Sequence, residues 1–197
     1  KKYPNGCNLI NCDFLKESEL EPFLKKVELL KIDILVNNAG INKISEFEKI
    51  SYKDYNSIQK VNSHAPFRIT QKVLKNMKEK KWGRIINISS IFGILSKQYR
   101  ASYSSSKFAI DGMTAALAAE IAEHGVLVNT VSPGFFETEL TKSILGKNGI
   151  KEMSSLVPMK RLGKPDELAN LILWLSSEYN TYISGQNIII DGGFSRV

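Results

Sequence analysis

Short apolar runs alternate with longer helical segments along this chain, and this alternation restricts the fold more than any other feature. Five runs are predicted strands: 7–12, 32–36, 84–88, 126–131 and 187–190. Helices are predicted at about 18–30, 52–80, 102–123 and 165–177, with an irregular segment at 133–162. Strands separated by helices at this spacing indicate βαβ units and a parallel sheet, and continuously apolar strands indicate helices on both faces. We therefore predict a single α/β domain over residues 1–197 with a doubly wound, Rossmann-like parallel sheet.

Composition and charge exclude only a few classes of protein. The 197 residues are 43% hydrophobic, with a formal net charge of +7, which is ordinary for a globular protein. Basic residues are not interleaved with aromatic ones, and no apolar run approaches about 18 residues, so we expect neither a nucleic-acid partner nor a membrane partner. The cysteines, Cys7 and Cys12, fit a reducing cytoplasmic setting. Neither histidine has a clustered ligand partner, so we expect no metal site.

Small and polar residues follow several of the predicted strands. They are Asn11-Cys12-Asp13, Asn37-Asn38-Ala39-Gly40, Ser89-Ser90 and Ser132-Pro133-Gly134. Ligands bind beyond the carboxyl ends of the strands in sheets of this class, and glycine lets the backbone approach a ligand closely. These segments are therefore the predicted ligand edge, although any one of them alone is more often a plain turn.

Tyr103 and Lys107 lie one turn apart at the start of a predicted helix and project from one face. An ammonium group near a phenol favours the phenolate, which predicts a pKa for Tyr103 below the usual value of about 10. Such a tyrosine can act as a general acid near neutral pH. Ser90 closes the preceding strand, where its hydroxyl can bind a substrate carbonyl. Alone, this tyrosine–lysine pair is more often a solvated helix face.

Several motifs occur together in a fixed order. They are NNAG (37–40), Asn62, ISS (88–90), YSSSK (103–107), PGFFETEL (133–140), PMKRLGKPDELA (158–169) and YISGQNIIIDGG (182–193). This set resembles the short-chain dehydrogenase/reductase family over nearly the whole chain, and is most similar to its 3-oxoacyl-[acyl-carrier-protein] reductases. The resemblance implies an NAD- or NADP-dependent oxidoreductase of fatty acid biosynthesis that reduces a 3-oxoacyl carbonyl, on a small molecule or an acyl carrier.

The resemblance also implies catalytic roles. Tyr103 donates a proton to the carbonyl oxygen, and Ser90 orients and polarises that carbonyl. Lys107 lowers the pKa of Tyr103 and binds the nicotinamide ribose, while Asn62 anchors a water molecule that relays protons to Lys107. The expected assembly is a homotetramer. Two alternatives stay open: a polyol or sugar dehydrogenase of the same family, and a catalytically silent binding or assembly subunit.

Cofactor-binding residues are implied in the same way. Besides Tyr103 and Lys107 they are Asp13 and Phe14 at the adenine, Asn38, Ala39 and Gly40 at the adenosine ribose, and Pro133, Gly134, Phe136 and Thr138 at the nicotinamide. For two of them a second interpretation remains. Asn38 can instead tie neighbouring strands together, and Phe136 can contribute backbone contacts alone.

The sequence departs from the family pattern at its start. The glycine-rich TGxxxGxG loop, which binds the cofactor pyrophosphate at a helix N-terminus, is absent. The resemblance begins at what corresponds to the third strand, so roughly 45–50 residues of the family pattern are missing. We therefore expect this sequence to be the C-terminal part of a longer chain. We also expect a gap in the sheet between the strands at 7–12 and 32–36.

Overall fold

A parallel sheet of four strands forms the centre of the molecule. The computed structural model describes residues 6–196, except for the side chains at 140, 143–145 and 147. The strands are β1 (Ile34–Asn37), β2 (Gly83–Ile88), β3 (Val126–Pro133) and β4 (Asn187–Ile190), hydrogen-bonded in that order. The helices are α1 (Glu17–Leu29), α2 (Tyr52–Gln59), α3 (Ala65–Lys80), α4 (Ala101–Ile121), α5 (Glu139–Leu156) and α6 (Pro165–Ser176). The predicted α/β class with a parallel sheet is confirmed.

Helices cover both faces of this sheet. Ile85 on β2 packs in a core with residues of α1, α3 and α4, including Leu24, Met77 and Ile121. Its neighbour Ile86 points to the opposite face and packs with Leu175 of α6. Successive side chains of a strand point to opposite faces, so a strand between two helical layers must be apolar throughout. This accounts for the continuous apolar runs in the sequence.

The long helix predicted over 52–80 is interrupted in its middle. A π-helical turn at Lys60–His64 separates α2 from α3. The Ser51 hydroxyl caps the start of α2 by accepting a hydrogen bond from the Asp54 amide at 3.1 Å. π-Helical turns frequently occur at functional sites because the wider turn re-aims the side chains it carries. Here the turn carries Asn62.

The predicted strand at 7–12 is wrong. These residues, all within the described part of the chain, form no strand, although Asn8 and Ile10 line a groove beside β1. A strand exists only where its backbone pairs with a neighbouring strand, so apolar content alone does not make one. With β1 at the edge of the described sheet, the sheet is continuous and the expected gap is absent from it.

Two helix predictions also need correction. The irregular segment expected at 133–162 contains α5, which breaks at Gly146, where φ is 59° and ψ is −175°. The break splits this helix into two short pieces, and neither is long enough to show a helical repeat clearly. The first helix begins at Glu17, one residue before the predicted start at about 18, and the side chain of Lys16 does not cap it.

A chain of buried side-chain hydrogen bonds joins three strands near their carboxyl ends. Asn37 of β1 donates to the Asn87 side-chain oxygen of β2 at 2.8 Å, and Asn87 donates to the Thr114 hydroxyl of α4 at 2.9 Å. Thr130 of β3 donates to the same Thr114 hydroxyl at 2.8 Å. Buried polar groups that satisfy one another fix a unique arrangement, so this chain holds α4 in register with the sheet.

Candidate active site

Ser90 and Tyr103 lie beyond the carboxyl end of β2. Ser90 begins the short 3₁₀ turn Ile91–Gly93, and its hydroxyl accepts a hydrogen bond from the Phe92 amide at 3.2 Å. Tyr103 is the third residue of α4 and is half-buried. The Ser90 hydroxyl is close enough to the Tyr103 phenol to lower its pKa through a hydrogen bond. The structure thus brings these two predicted site residues together.

Lys107 projects from the same face of α4 and is almost fully buried, with 3% of its surface exposed. Its ammonium group lies 5.6 Å from the centre of the Tyr103 ring and donates a hydrogen bond to the Ile88 carbonyl at 2.8 Å. Burial disfavours the charged form and lowers the pKa of Lys107 to about 8.

The pKa of Tyr103 differs from the expectation. Burial raises it above the usual value, while the Ser90 hydrogen bond and the positive charge of Arg100 act in the opposite direction. The prediction that Lys107 lowers the Tyr103 pKa therefore does not describe this structure. The Lys107 ammonium group lies 5.6 Å from the Tyr103 ring centre, and its hydrogen bond goes to Ile88 rather than to the phenol.

Asn62 joins the loop after β1 to α4. Its side-chain oxygen accepts from the Ile41 amide at 2.8 Å, and its amide nitrogen donates to the Ile41 carbonyl at 2.9 Å and the Ser106 hydroxyl at 3.0 Å. Gly40 packs against the same group, since a Cβ atom there would lie 3.6 Å from both Asn62 Oδ1 and Lys107 Nζ. The absence of a side chain at Gly40 leaves this approach open.

Three of the predicted adenosine residues occupy a second region, beside β1. Phe14, Asn38 and Ala39 line one groove of about 350 Å³. Asp13 is engaged within its own turn, where its carboxylate accepts a hydrogen bond from the Leu15 amide at 3.0 Å. The strand-tying role considered for Asn38 belongs instead to the preceding residue, Asn37, which forms the buried bond to Asn87.

The predicted nicotinamide residues follow β3. The Gly134 amide donates to the Ile190 carbonyl at 2.9 Å, and a Cβ atom at Gly134 would lie 2.7 Å from Asp191 Cβ. Phe136 is buried beside Gly163, whose own Cβ atom would lie 2.7 Å from its ring. The Thr138 hydroxyl caps α5 by accepting from the Thr141 amide at 3.1 Å. Local contacts therefore hold Phe136 and Thr138 in place.

Sequence reasoning missed two residues that surround the site, Arg100 and Phe92, and it placed a third, Ser89, at the ligand edge without a contact. Ser89 donates a hydrogen bond to the Lys107 carbonyl at 3.1 Å, which fixes the backbone of α4. The guanidinium group of Arg100 lies 5.4 Å from the centre of the Phe92 ring. The position of Arg100 one helical turn before Tyr103, and of Phe92 two residues after Ser90, is the signal that could have indicated them.

A protein family and individual known proteins match nearly the whole chain. Residues 2–195 match the family described as Enoyl-(Acyl carrier protein) reductase. The chain is 38% identical over 194 residues to the 3-oxoacyl-[acyl-carrier-protein] reductase of Aquifex aeolicus, and the match covers 98% of this chain and 78% of that protein.

The chain belongs to the short-chain dehydrogenase/reductase family. It is also 38% identical to the acetoacetyl-CoA reductase of Cupriavidus necator over 85% of this chain and 68% of the relative. Among solved structures it resembles a gluconate 5-dehydrogenase from Burkholderia cenocepacia J2315 in complex with NADP and tartrate. That likeness has a TM-score of 0.85 at 29% identity and covers 94% of this chain and 74% of that one.

The residues of this short-chain dehydrogenase/reductase fit one end of a nicotinamide nucleotide. Gly40 carries no side chain beside the Lys107 ammonium group, and an ammonium group is a suitable hydrogen-bond donor for the hydroxyls of a ribose. Between residues 6 and 196, no group of three His, Cys, Asp or Glu side chains could hold a metal ion. No helix of that same stretch is long and apolar enough to span a bilayer.

Proposed function

We propose that this protein reduces the 3-oxo group of an acyl thioester with NADPH or NADH as the hydride donor. The observation that carries the proposal is the grouping of Ser90, Tyr103 and Lys107 at one edge of the sheet. Two relatives, a 3-oxoacyl-[acyl-carrier-protein] reductase and an acetoacetyl-CoA reductase, support the thioester as substrate. The acyl chain is carried either by a small thiol such as coenzyme A or by an acyl carrier protein.

The contacts of Ser90 and Tyr103 suggest a separate role for each residue and for the cofactor. When bound, the nicotinamide supplies the hydride that forms the new C–H bond at the carbonyl carbon. The Ser90 hydroxyl binds the carbonyl oxygen and holds it against Tyr103, whose phenol transfers its proton to that oxygen. The raised pKa of Tyr103 keeps the phenol protonated until the oxygen becomes basic.

Lys107 and Asn62 assist this step. The Lys107 ammonium group binds the ribose hydroxyls, and Asn62 anchors a water molecule that returns a proton from solvent. Their support is the immobilisation of Lys107 by Ile88 and of Asn62 by Ile41 and Ser106. Fixed groups need no reorganisation as charge develops, which is the main source of electrostatic catalysis.

The remaining proposed features concern cofactor, assembly and location. Phe14, Asp13, Asn38, Ala39 and Gly40 are the proposed adenosine side, and Pro133, Gly134, Phe136 and Thr138 are the proposed nicotinamide side. We propose a homotetramer in the cytoplasm. The apolar side chains of Tyr52, Phe108, Leu173 and Trp174, all exposed, support contacts between subunits through α2, α4 and α6. Light scattering on the purified protein measures this state.

The test is NADPH oxidation with acetoacetyl-CoA, followed by absorbance. Tyr103→Phe removes the proton donor and should abolish turnover while leaving the circular dichroism spectrum unchanged. Tyr182→Phe is the matched control, because Tyr182 is 96% exposed and should retain full activity. Undiminished turnover by Tyr103→Phe would refute the assigned role.

A second candidate is oxidation of a sugar acid. It is supported by the similarity to gluconate 5-dehydrogenase. Reduction of NADP⁺ by gluconate, measured beside the acetoacetyl-CoA reaction, separates the two. A catalytically silent subunit would show cofactor binding by fluorescence without turnover of either compound.

A further inference from the structure

Arg100 connects the start of the helix that carries Tyr103 with the turn that follows Ser90. It occupies the capping position of α4, one turn before Tyr103, and its charge acts on the Tyr103 phenol. Its guanidinium group stacks at 5.4 Å over Phe92, two residues beyond Ser90. The cation therefore lies close enough to Tyr103 to act on its phenol, and it contacts the turn that follows Ser90.

The charge of Arg100 lacks the kind of partners that Arg68, Arg84 and Arg161 have. Arg68 and Arg161 form salt bridges with glutamates, and Arg84 donates to main-chain carbonyls, including that of Asn180 at 2.9 Å. Among the side chains that the structure describes, none forms a salt bridge or hydrogen bond with the guanidinium group of Arg100. Arg100 is half-buried, and burial lowers its pKa. A cation at the start of a helix also opposes the helix dipole.

The surroundings of Arg100 strengthen its attraction for an anion. Phe92 packs edge-on against Phe135 at 6.3 Å, and Phe135 packs edge-on against Phe194 at 5.1 Å. Phe135 also lines a cavity of about 230 Å³ beyond β3 and β4. An ion pair beside such an apolar wall is weakly screened, so a single carboxylate gains more there than in open solvent.

Asp191, which also lines this cavity, does not supply that carboxylate. Its two oxygens accept from the amides of Gly193 at 2.9 Å and Ser195 at 2.7 Å, which engages it in its own turn. The other carboxylate on that wall, Glu167, forms a salt bridge with Arg161. Both carboxylates of the described cavity wall are thus engaged elsewhere, and the charge of Arg100 is open to the anion of a ligand.

We propose that Arg100 binds the free carboxylate of a small oxo acid or hydroxy acid, which the site converts in addition to thioesters. In reduction, the hydride from NAD(P)H goes to the carbonyl carbon and the Tyr103 proton to its oxygen, giving a hydroxy acid. The inference rests on the proposed Tyr103 chemistry but not on the thioester. A free carboxylate suits a desolvated cation better than a neutral thioester oxygen, because hydrogen bonds between charged groups are roughly twice as strong.

The test compares acetoacetate with acetoacetyl-CoA, which share the reacting carbonyl and differ in the carboxylate. In Arg100→Gln, the KM for acetoacetate should rise about 10- to 100-fold, the loss expected for a charged hydrogen bond. The KM for acetoacetyl-CoA should stay within about threefold, since its neutral carbonyl gains little from the charge. Arg100→Lys should retain most of the acetoacetate affinity, and Arg68→Gln, outside the site, should change neither KM.

Calorimetry keeps the proposal testable without turnover. Titration of acetoacetate into the Tyr103→Phe variant with NADPH present should show binding that Arg100→Gln removes. If Tyr103→Phe still turns over acetoacetyl-CoA, the proposed function is refuted. The titration still measures whether acetoacetate binding depends on Arg100. The carboxylate assignment would be overturned if Arg100→Gln changed the KM of both substrates equally. It would also be overturned if acetoacetate bound the Arg100→Gln protein as tightly as the protein with Arg100.

Discussion

The ammonium group of Lys107 donates a hydrogen bond to the main-chain carbonyl of Ile88 across 2.8 Å. Ile88 ends β2 and Lys107 lies on α4, so this bond joins the helix that carries Tyr103 to the ligand edge of the sheet. The bond orients Lys107, and burial of the same group brings its pKa down to about 8. Lys107, whose charge the proposed reaction needs, therefore changes its protonation state near neutral pH.

The first prediction concerns the pH dependence of reduction. If catalysis needs the charged form of Lys107, kcat/KM with acetoacetyl-CoA should be constant below pH 8 and fall about tenfold per pH unit above it. Lys107→Arg, which stays charged, should move this decline to higher pH even if its rate is lower. Stopped-flow or steady-state rates between pH 6 and 10 measure the profile. A flat profile would contradict the assignment.

The second prediction concerns stability. The pKa of Lys107 falls from 10.5 to about 8 on folding, so the unfolded chain binds the proton more strongly between these values. Stability from this group therefore rises as pH increases from about 8 to 10.5, and the penalty is fully present below pH 8. Lys107→Met removes the penalty and should stabilise the protein by about 1–3 kcal/mol at pH 7, but not near pH 10.

Urea unfolding of both proteins at several pH values measures that difference. The Ile88 carbonyl loses its donor in Lys107→Met, which reduces the gain. A gain that is the same at pH 7 and pH 10 would show that the Lys107 charge carries no cost.

The third prediction uses two glycines. A Cβ atom at Gly93 would lie 2.5 Å from Ser89 Oγ and 2.9 Å from Lys107 Cβ, so Gly93→Ala must displace α4 from the turn after Ser90. We expect a loss of about 1–3 kcal/mol in stability and a fall in kcat larger than any change in cofactor affinity. Gly112→Ala is the matched control, because a Cβ atom there meets nothing within 4 Å.

Gly112 lies inside α4, so the control should instead stabilise the protein by about 0.5–1 kcal/mol through helix propensity. Thermal unfolding and initial rates on both variants decide the outcome. Unchanged kcat in a stably folded Gly93→Ala protein would mean that the spacing between Ser90 and Lys107 tolerates movement.

The sequence predicts the parts of this molecule that depend on local pattern. Apolar runs identify β1 to β4 within a few residues, and the spacing of Tyr103 and Lys107 places both on one helix face. Residues 7–12 were assigned wrongly because a strand depends on its neighbour, which a linear pattern does not contain. The π-helical turn at Asn62 has no hydrophobic signature, since one wider turn barely changes the repeat.

The pKa values of the site residues are harder to predict from the sequence than which residues form the site. The spacing of Tyr103 and Lys107 suggests a direct effect of the ammonium group on the phenol, whereas burial dominates both pKa values. Burial depends on what packs against a group, here the turn after Ser90 and the β2 edge. The role of Arg100 has the same origin, because nothing in the sequence shows that its charge is left without a partner.

The last prediction concerns Asn62, which satisfies both main-chain groups of Ile41 and binds Ser106. Asn62→Ala leaves the Ile41 amide and carbonyl without these partners, and we expect a loss of about 2–4 kcal/mol in stability. The loop bearing Gly40 should then move away from Lys107, raising the KM for NADPH more than the KM for acetoacetyl-CoA. Asn56→Ala, on the neighbouring helix α2, is the control and should leave both values unchanged. Urea unfolding and steady-state kinetics test this directly, and an Asn62→Ala protein of full stability with unchanged KM values would show that the loop is held by other contacts.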